Sequence, residues 1–392
     1  MLFSLFLIMM CGLLFGWICK KIHFPSLFGM IIAGILIGPY GFNRIDASIL
    51  NASSDIRRIA LIVILLRAGL KLNVEDLKKV GRPAILMCFV PACLEMVGMI
   101  ILAPQLLGIT RLDAAIMGAV IGAVSPAVIV PRMIKLIDEG YGVEKSIPQM
   151  ILAGASVDDV FVIVMFTTFT GLAKGEKLSL MSFLKIPLSI LTGIAVGILV
   201  GIVLVKWFGK IKVENTVKII IMLSLSFAAS AFENAFPGIP FASLIAIMCM
   251  GIAVKKYNAG LAKNLSGSFD KIWVFAEIFL FVLVGASVAI ESAFSAGVRV
   301  ILLLFGVILF RMAGVFICII GTNLNRKEKL FCMIAYTPKA TVQAAIGGIP
   351  LAMGLSCGQI VLTVSVIAIL LTAPLGAFGI DLTYKKLLKK TV

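Results

Sequence analysis

The sequence predicts an all-α polytopic membrane protein of about thirteen transmembrane helices, arranged as inverted repeats with two crossing discontinuous helices. Three observations carry this prediction. Of the 392 residues, 61% are apolar and 14% charged, against about half and a quarter in soluble domains, and the mean hydropathy is +1.14. Apolar runs of roughly 17–25 residues, the length that crosses a bilayer, recur between short charged loops. Two of these runs carry a proline flanked by hydroxyls.

The runs fall near 2–19, 26–40, 55–71, 83–107, 112–135, 148–171, 182–206, 214–232, 240–254, 270–289, 298–321, 328–352 and 359–379. Met1 to Cys19 lacks a basic leading region and a small-residue cleavage site, so it reads as the first span rather than a signal peptide. Of the 35 Lys and Arg, about 23 lie on one side, in 20–21, 71–82, 135–145, 206–218, 255–271, 326–329 and 385–390. About eight lie on the other side, and Arg67, Arg132, Arg311 and Lys339 fall inside spans. Positive charge gathers in cytoplasmic loops, which predicts a cytoplasmic C-terminus and, with an odd helix count, an N-terminus outside. The net charge of +16 is therefore an orientation signal, and no nucleic-acid partner is expected. The eight cysteines sit mostly within spans as small hydrophobes, without the spacing of a metal site. His23, beside Lys20 and Lys21, reads as a solvated loop residue, which leaves proton chemistry to carboxylates and lysines.

The fifth run, Gly118 to Pro131, holds Ser125-Pro126 at its centre. The twelfth, Ala335 to Gly348, holds Thr337-Pro338-Lys339 and Thr341 in its first half. Seven spans apart, they cross the membrane in opposite directions, the pattern of an inverted repeat with discontinuous helices. Backbone freed from a helix at membrane depth must find partners or line a cavity. Opposed half-helix ends also present partial charges that call for ionic compensation. Lys339 lies in one broken helix, and carboxylates lie next to the other.

Those carboxylates are Asp158 and Asp159, in an otherwise uncharged stretch from Ile147 to Thr170. A carboxylate at membrane depth costs about 3 kcal/mol or more, so two in succession mark a place where a cation or proton meets protein. Adjacent helical residues point about 100° apart. One can face an aqueous pathway while the other faces a protein neighbour. Carboxylate oxygens bind a small hard cation or a proton, and alternating access would turn that competition into exchange. An ion gradient is the expected driving force, since no ATP-binding loop is present. An intramembrane aspartyl protease is excluded, because it needs facing carboxylates that share a proton. Glu95 and Arg311 predict a mutual salt bridge, so that removing both charges should recover some of what Arg311→Ala alone loses. Arg67 and Arg132, near helix ends, are expected to snorkel.

Ala123-Val-Ser-Pro-Ala-Val-Ile-Val-Pro131, Gly140-Tyr-Gly-Val-Glu-Lys145, Ala155-Ser-Val-Asp-Asp-Val160 and Thr337-Pro-Lys-Ala-Thr-Val-Gln-Ala-Ala-Ile-Gly347 resemble the NHA branch of the monovalent cation–proton antiporters. Leu66-Arg67-Ala-Gly-Leu70 fits as well. The resemblance runs over about the whole chain. It implies the Na+/H+ antiporter-like fold and a homodimer in the cytoplasmic membrane, serving pH homeostasis. A core domain would move elevator-like against a dimerisation domain. The core halves would be 83–178 and 296–380, the dimerisation parts 1–82 and 213–295, with a linker helix at 179–212 and a basic tail at 381–392.

It further implies that Asp159 binds cation and proton competitively, supported by Asp158 and by Ser125 in the unwound segment. Glu95 and Arg311 match a buried ion pair, and Lys339, with Thr337 and Thr341, compensates the second helix break. Related bacterial antiporters with an Asp-Asp pair carry a lysine at the position of Arg311. Arginine does not deprotonate in proteins, which favours one-for-one electroneutral exchange here. The implied substrates are Na+ or Li+ and H+, held by Asp158 and Asp159 as transported ions, with no cofactor and no enzymatic activity. Potassium–proton antiport, sodium-coupled solute symport, and a channel or sensor on the same scaffold are the alternatives.

Overall fold

The computed structural model describes residues 1–22, 24–71, 81–174, 180–211, 213–236, 239–287 and 290–390. His23 lies outside the described residues. Among them the chain is helical almost throughout, with no β-strand beyond an isolated antiparallel bridge between Tyr141 and Lys390. The helices are α1 (Leu2–Lys21), α2 (Ser26–Ile37), α3 (Ala47–Asn51), α4 (Ser53–Lys71), α5 (Arg82–Met87), α6 (Val90–Leu107), α7 (Arg111–Ile121), α8 (Pro126–Asp138) and α9 (Ile147–Ala173). There follow α10 (Leu180–Lys210), α11 (Asn215–Ala235), α12 (Ser243–Tyr257), α13 (Ala259–Ala286), α14 (Ile290–Cys318), α15 (Arg326–Ala335), α16 (Thr341–Ile346), α17 (Ile349–Ala352) and α18 (Gly358–Leu387). Each apolar run read from the sequence coincides with a helix or with two or three shorter ones. Eight of the described spans are long and apolar enough to cross a membrane.

The chain divides into two units, one of residues 1–57, 76–173 and 278–392, the other of 58–75 and 174–277. In the second unit α10 packs along α12. There Arg67 donates to the Asp270 carboxylate, which Lys71 Nζ also reaches at 2.6 and 2.9 Å. Its guanidinium lies 5.9 Å from the centroid of the Trp273 ring. Arg67 is therefore ion-paired rather than snorkelling freely, because α13 brings a carboxylate to it.

In the first unit α6 packs along α14 and α7, and α9 packs against α5, α7 and α8. The run expected as one span over 83–107 is two helices. Pro91 has no N–H and its ring crowds the carbonyl four residues back, so α5 ends at Met87 and α6 restarts at Val90. The same chemistry parts α7 from α8 at Pro126 and α15 from α16 around Pro338. Both broken helices open on a capping box, Thr110 with Asp113 and Asn325 with Glu328, which satisfies donors that a helix start leaves free. Glu328 also takes a hydrogen bond from Lys145 Nζ at 2.8 Å. The second break can lie tight against α18 because position 376 is glycine: a Cβ there would collide with the Pro338 ring.

Candidate functional site: two helix breaks and a buried charge network

Each of the three prolines frees the carbonyl four residues before it, and each freed carbonyl finds a donor. Met87 O, released by Pro91, accepts from the Tyr336 hydroxyl at 2.9 Å. Gly122 O, released by Pro126, accepts from Arg311 Nη1. Ile334 O, released by Pro338, accepts from Thr337 Oγ1 at 2.9 Å. The breaks touch one another, with the Ser125 N–H donating to Pro338 O at 2.8 Å. The Gln343 side-chain amide reaches across to the end of α7 and the first break, donating to Val120 O, Ile121 O and Ala123 O at 3.2, 3.1 and 2.9 Å. The Lys339 N–H donates to Thr372 Oγ1 on α18 at 2.9 Å. Unwound backbone is stable here because protein groups replace the helix's own hydrogen bonds.

The charges interlock through Arg311, which is completely buried. Its Nη1 donates to Glu95 Oε2 at 2.7 Å, its Nη2 to Asp158 Oδ2 at 2.8 Å and its Nε to Tyr336 O at 2.6 Å. The Val124 N–H, in the first break, donates to the same Asp158 oxygen at 2.9 Å. Lys339 Nζ donates to Glu95 Oε2 at 2.5 Å. Asp159 stands apart. It is 7% exposed, and among the described residues its carboxylate has no hydrogen bond or ion pair. The two aspartates thus divide as adjacent helical residues must: Asp158 is held by protein, and Asp159 has no partner among the described residues.

Two cations face three carboxylates in this network, so one negative charge is uncompensated when Asp159 is bare. Several buried oxygens also lack partners among the described residues: Asp159 Oδ1, Asp158 Oδ1, Ser125 Oγ, Thr341 Oγ1, Glu95 Oε1 and Gln343 Oε1. Each unmet buried polar atom costs about 1–3 kcal/mol. Carboxylate, hydroxyl and amide oxygens are the donors that hard cations take. Among the described residues no group of three or more His, Cys, Asp or Glu forms a resident metal site.

The structure brings Glu95, Arg311, Lys339 and Asp158 together, and joins Ser125 to the second break through its backbone. The Glu95–Arg311 contact is not the isolated pair read from the sequence. Arg311 also holds Asp158, and Glu95 also holds Lys339. Removing both Glu95 and Arg311 charges would strand Asp158, so that double variant should not recover what the single loses. Thr337 serves its own helix end, whereas the Thr341 hydroxyl is buried and free. Arg132 is not a free snorkelling cation either: it pairs with Asp381 at 3.1 Å and donates to Val128 O at 3.0 Å. Sequence reasoning missed Gln343, Tyr336 and Thr372. A glutamine inside Thr341-Val-Gln-Ala-Ala345, an otherwise apolar turn, was the available signal.

Touching breaks in two oppositely running helices, with a buried carboxylate beside them, define the class of ion-coupled membrane transporters. Residues 5–386 match the family described as "Sodium/hydrogen exchanger, transmembrane". Curated relatives include sodium/hydrogen exchanger 9B2 of Pongo abelii and of Homo sapiens, each 33% identical over 99% of this chain and 75% of its own length. Sodium/hydrogen exchanger 9B1 of Homo sapiens is 29% identical over 99% of this chain and 78% of its own. The solved structure of the sodium proton antiporter MjNhaP1 from Methanocaldococcus jannaschii at pH 8 superposes with a TM-score of 0.84 at 20% identity. It covers 98% of this chain and 97% of that one, and shows the same fold. The chain belongs to the sodium/hydrogen exchanger family, as its motifs implied.

Proposed function

We propose that this chain exchanges Na+ (or Li+) for H+ across the cytoplasmic membrane as a secondary active antiporter. The observation that carries the reading is Asp159: a buried carboxylate with no partner among the described residues, on a helix packed against both halves of a broken one. The names of the relatives support sodium and proton as the ligands. Na+ or a proton takes the Asp159 oxygens. Ser125 and Thr341, whose buried hydroxyl oxygens are free, complete the cation's shell with Asp158 Oδ1. Lys339, through Glu95, balances the charges at the second break.

Either ligand brings the network of three carboxylates and two cations to neutrality. The bare site keeps one negative charge, which is costly to carry through a bilayer. The loaded core therefore crosses with Na+ or with H+ and does not cross empty, which makes exchange obligatory, one for one and electroneutral. Arg311 keeps its proton throughout. The core, residues 83–178 and 296–380, moves as one body by an elevator step, with the interlocked contacts among α6, α9, α14 and the second break supporting its rigidity. Residues 1–82 and 213–295 form the dimerisation domain of a homodimer, and 179–212 the linker. The C-terminus is cytoplasmic, the N-terminus outside.

Reconstituted proteoliposomes test the reading. A pH gradient is imposed, then Na+, Li+ or K+ is added while lumenal pH is followed, for the wild type and Asp159→Asn. Dissipation by Na+ or Li+ that the variant abolishes is expected. Dissipation by K+ alone would move the assignment to potassium–proton exchange. No cation response in folded wild type would overturn antiport.

A further inference from the structure

Arg57, on the first turns of α4, is a third buried cation beside Arg311 and Lys339, and nothing in the ion network uses it. It is 6% exposed. Its Nε donates to Ser53 O at 3.2 Å, which folds the guanidinium back over the helix's own N-terminal turn. Among the described residues its buried Nη1 has no hydrogen-bond partner and no carboxylate pairs with it. Ser53, one turn earlier and 4% exposed, likewise has a buried hydroxyl with no partner. The guanidinium lies flat against the backbone at Gly348, between α16 and α17, where a Cβ would collide with both of its terminal nitrogens. The nearest acidic side chain in sequence, Asp55, is exposed on another face of the helix.

A buried charge without a counter-ion is strongly unfavourable, and so is an unmet donor. The guanidinium Nη1 and the Ser53 hydroxyl, one turn apart at the start of α4, are both buried without a partner among the described residues. Gly348 closes against the guanidinium on one side and Arg57 is almost fully enclosed, so the acceptor must be small. We propose that a small inorganic anion of the halide class binds at the N-terminal turn of α4, held by Arg57 and Ser53. Bound there, it ties α4 to the α16–α17 junction and stabilises the fold. The ion neutralises Arg57, takes the Nη1 hydrogen bond and accepts from the Ser53 hydroxyl. No bond is made or broken, and no transport of the anion is required.

The test uses purified full-length protein in detergent, with chloride as the probe and the melting midpoint as the readout, so it is independent of any cation exchange. At constant ionic strength, replacing gluconate by chloride should raise the midpoint, with a linear dependence on log chloride beyond half-saturation. Bromide should act similarly, while sulfate and inorganic phosphate should not. Arg57→Gln should remove the dependence. Ser53→Ala should shift half-saturation to higher chloride by about three- to tenfold, the loss expected for one modest hydrogen bond. An Arg57→Gln chain that fails to fold leaves the Ser53→Ala shift as the deciding result. A wild type indifferent to chloride would overturn the proposal, as would an unaltered response in either variant. A response to phosphate but not chloride would overturn the halide assignment in favour of a larger oxyanion.

Discussion

Glu95 joins the two buried cations, and its removal can be worked out in numbers. Its Oε2 accepts from Arg311 Nη1 at 2.7 Å and from Lys339 Nζ at 2.5 Å, all three side chains being fully buried. Hydrogen bonds to charged groups contribute about 1.5–3 kcal/mol each. Glu95→Gln leaves two cations facing a neutral amide and should cost about 3–5 kcal/mol, the range for removing one partner of a buried pair. Lys339→Gln removes one of the two bonds and leaves Glu95 with Arg311, for a loss of about 1.5–3 kcal/mol. In the double variant a carboxylate and an ammonium leave together, while Arg311 keeps Asp158, Gly122 O and Tyr336 O. The double variant should therefore be more stable than Glu95→Gln alone, with a coupling of about 1–3 kcal/mol between the two positions. Melting midpoints of the four proteins, followed by size-exclusion fluorescence after heating, measure the cycle. A double variant that loses the full sum of the two singles would refute the shared network.

The other contacts make sharper and smaller claims. Gln343→Leu should destabilise the chain by about 1–3 kcal/mol by leaving Val120 O, Ile121 O and Ala123 O without their donor, while Gln343→Asn should not rescue it because the shorter side chain cannot reach; an unaltered melting midpoint for the leucine variant would contradict this. Asp270→Asn should cost less than about 1 kcal/mol, because that ion pair is partly solvated, and a loss of several times that in the same assay would show the cluster to be structural. Na+ and H+ competing for Asp159 should raise the apparent KM for Na+ as pH falls, by up to about tenfold per unit where one proton displaces one cation. An initial-rate series over pH that changes only the maximal rate would count against competition.

The sequence disclosed what depends on local chemistry. Proline flanked by hydroxyls located both helix breaks, since the missing N–H acts within one turn. The Asp158-Asp159 step forced one carboxylate away from the other, and the structure has one locked and one free. Partner choice was less legible. Arg311 meets Asp158 across 153 residues and Lys339 meets Glu95 across 244, and only the packing of α6, α9 and α14 decides those pairs. Reading Glu95–Arg311 as an isolated pair was half of the answer for that reason. Arg67 and Arg132 looked like snorkelling cations because Asp270 and Asp381 are remote in sequence. The helix break at Cys88–Phe89 was masked by an unbroken apolar run, although Pro91 was in view. Tyr336 could not be tied to Met87 O without the fold, since a tyrosine in an apolar span fits a core position equally well.

The central claim is that the network of three carboxylates and two cations is neutral with either ligand on Asp159. Charge movement tests it most directly. In proteoliposomes with a fixed pH gradient, Na+-driven proton flux is compared at zero potential and with a clamp of about −100 mV. Moving one net charge across that potential is worth about 2.3 kcal/mol, which would change the rate by up to about fiftyfold if a charge-carrying step limited it. The same flux at both potentials is expected, with no current on a solid-supported membrane. A potential-dependent flux, or a current that follows the Na+ gradient, would contradict it.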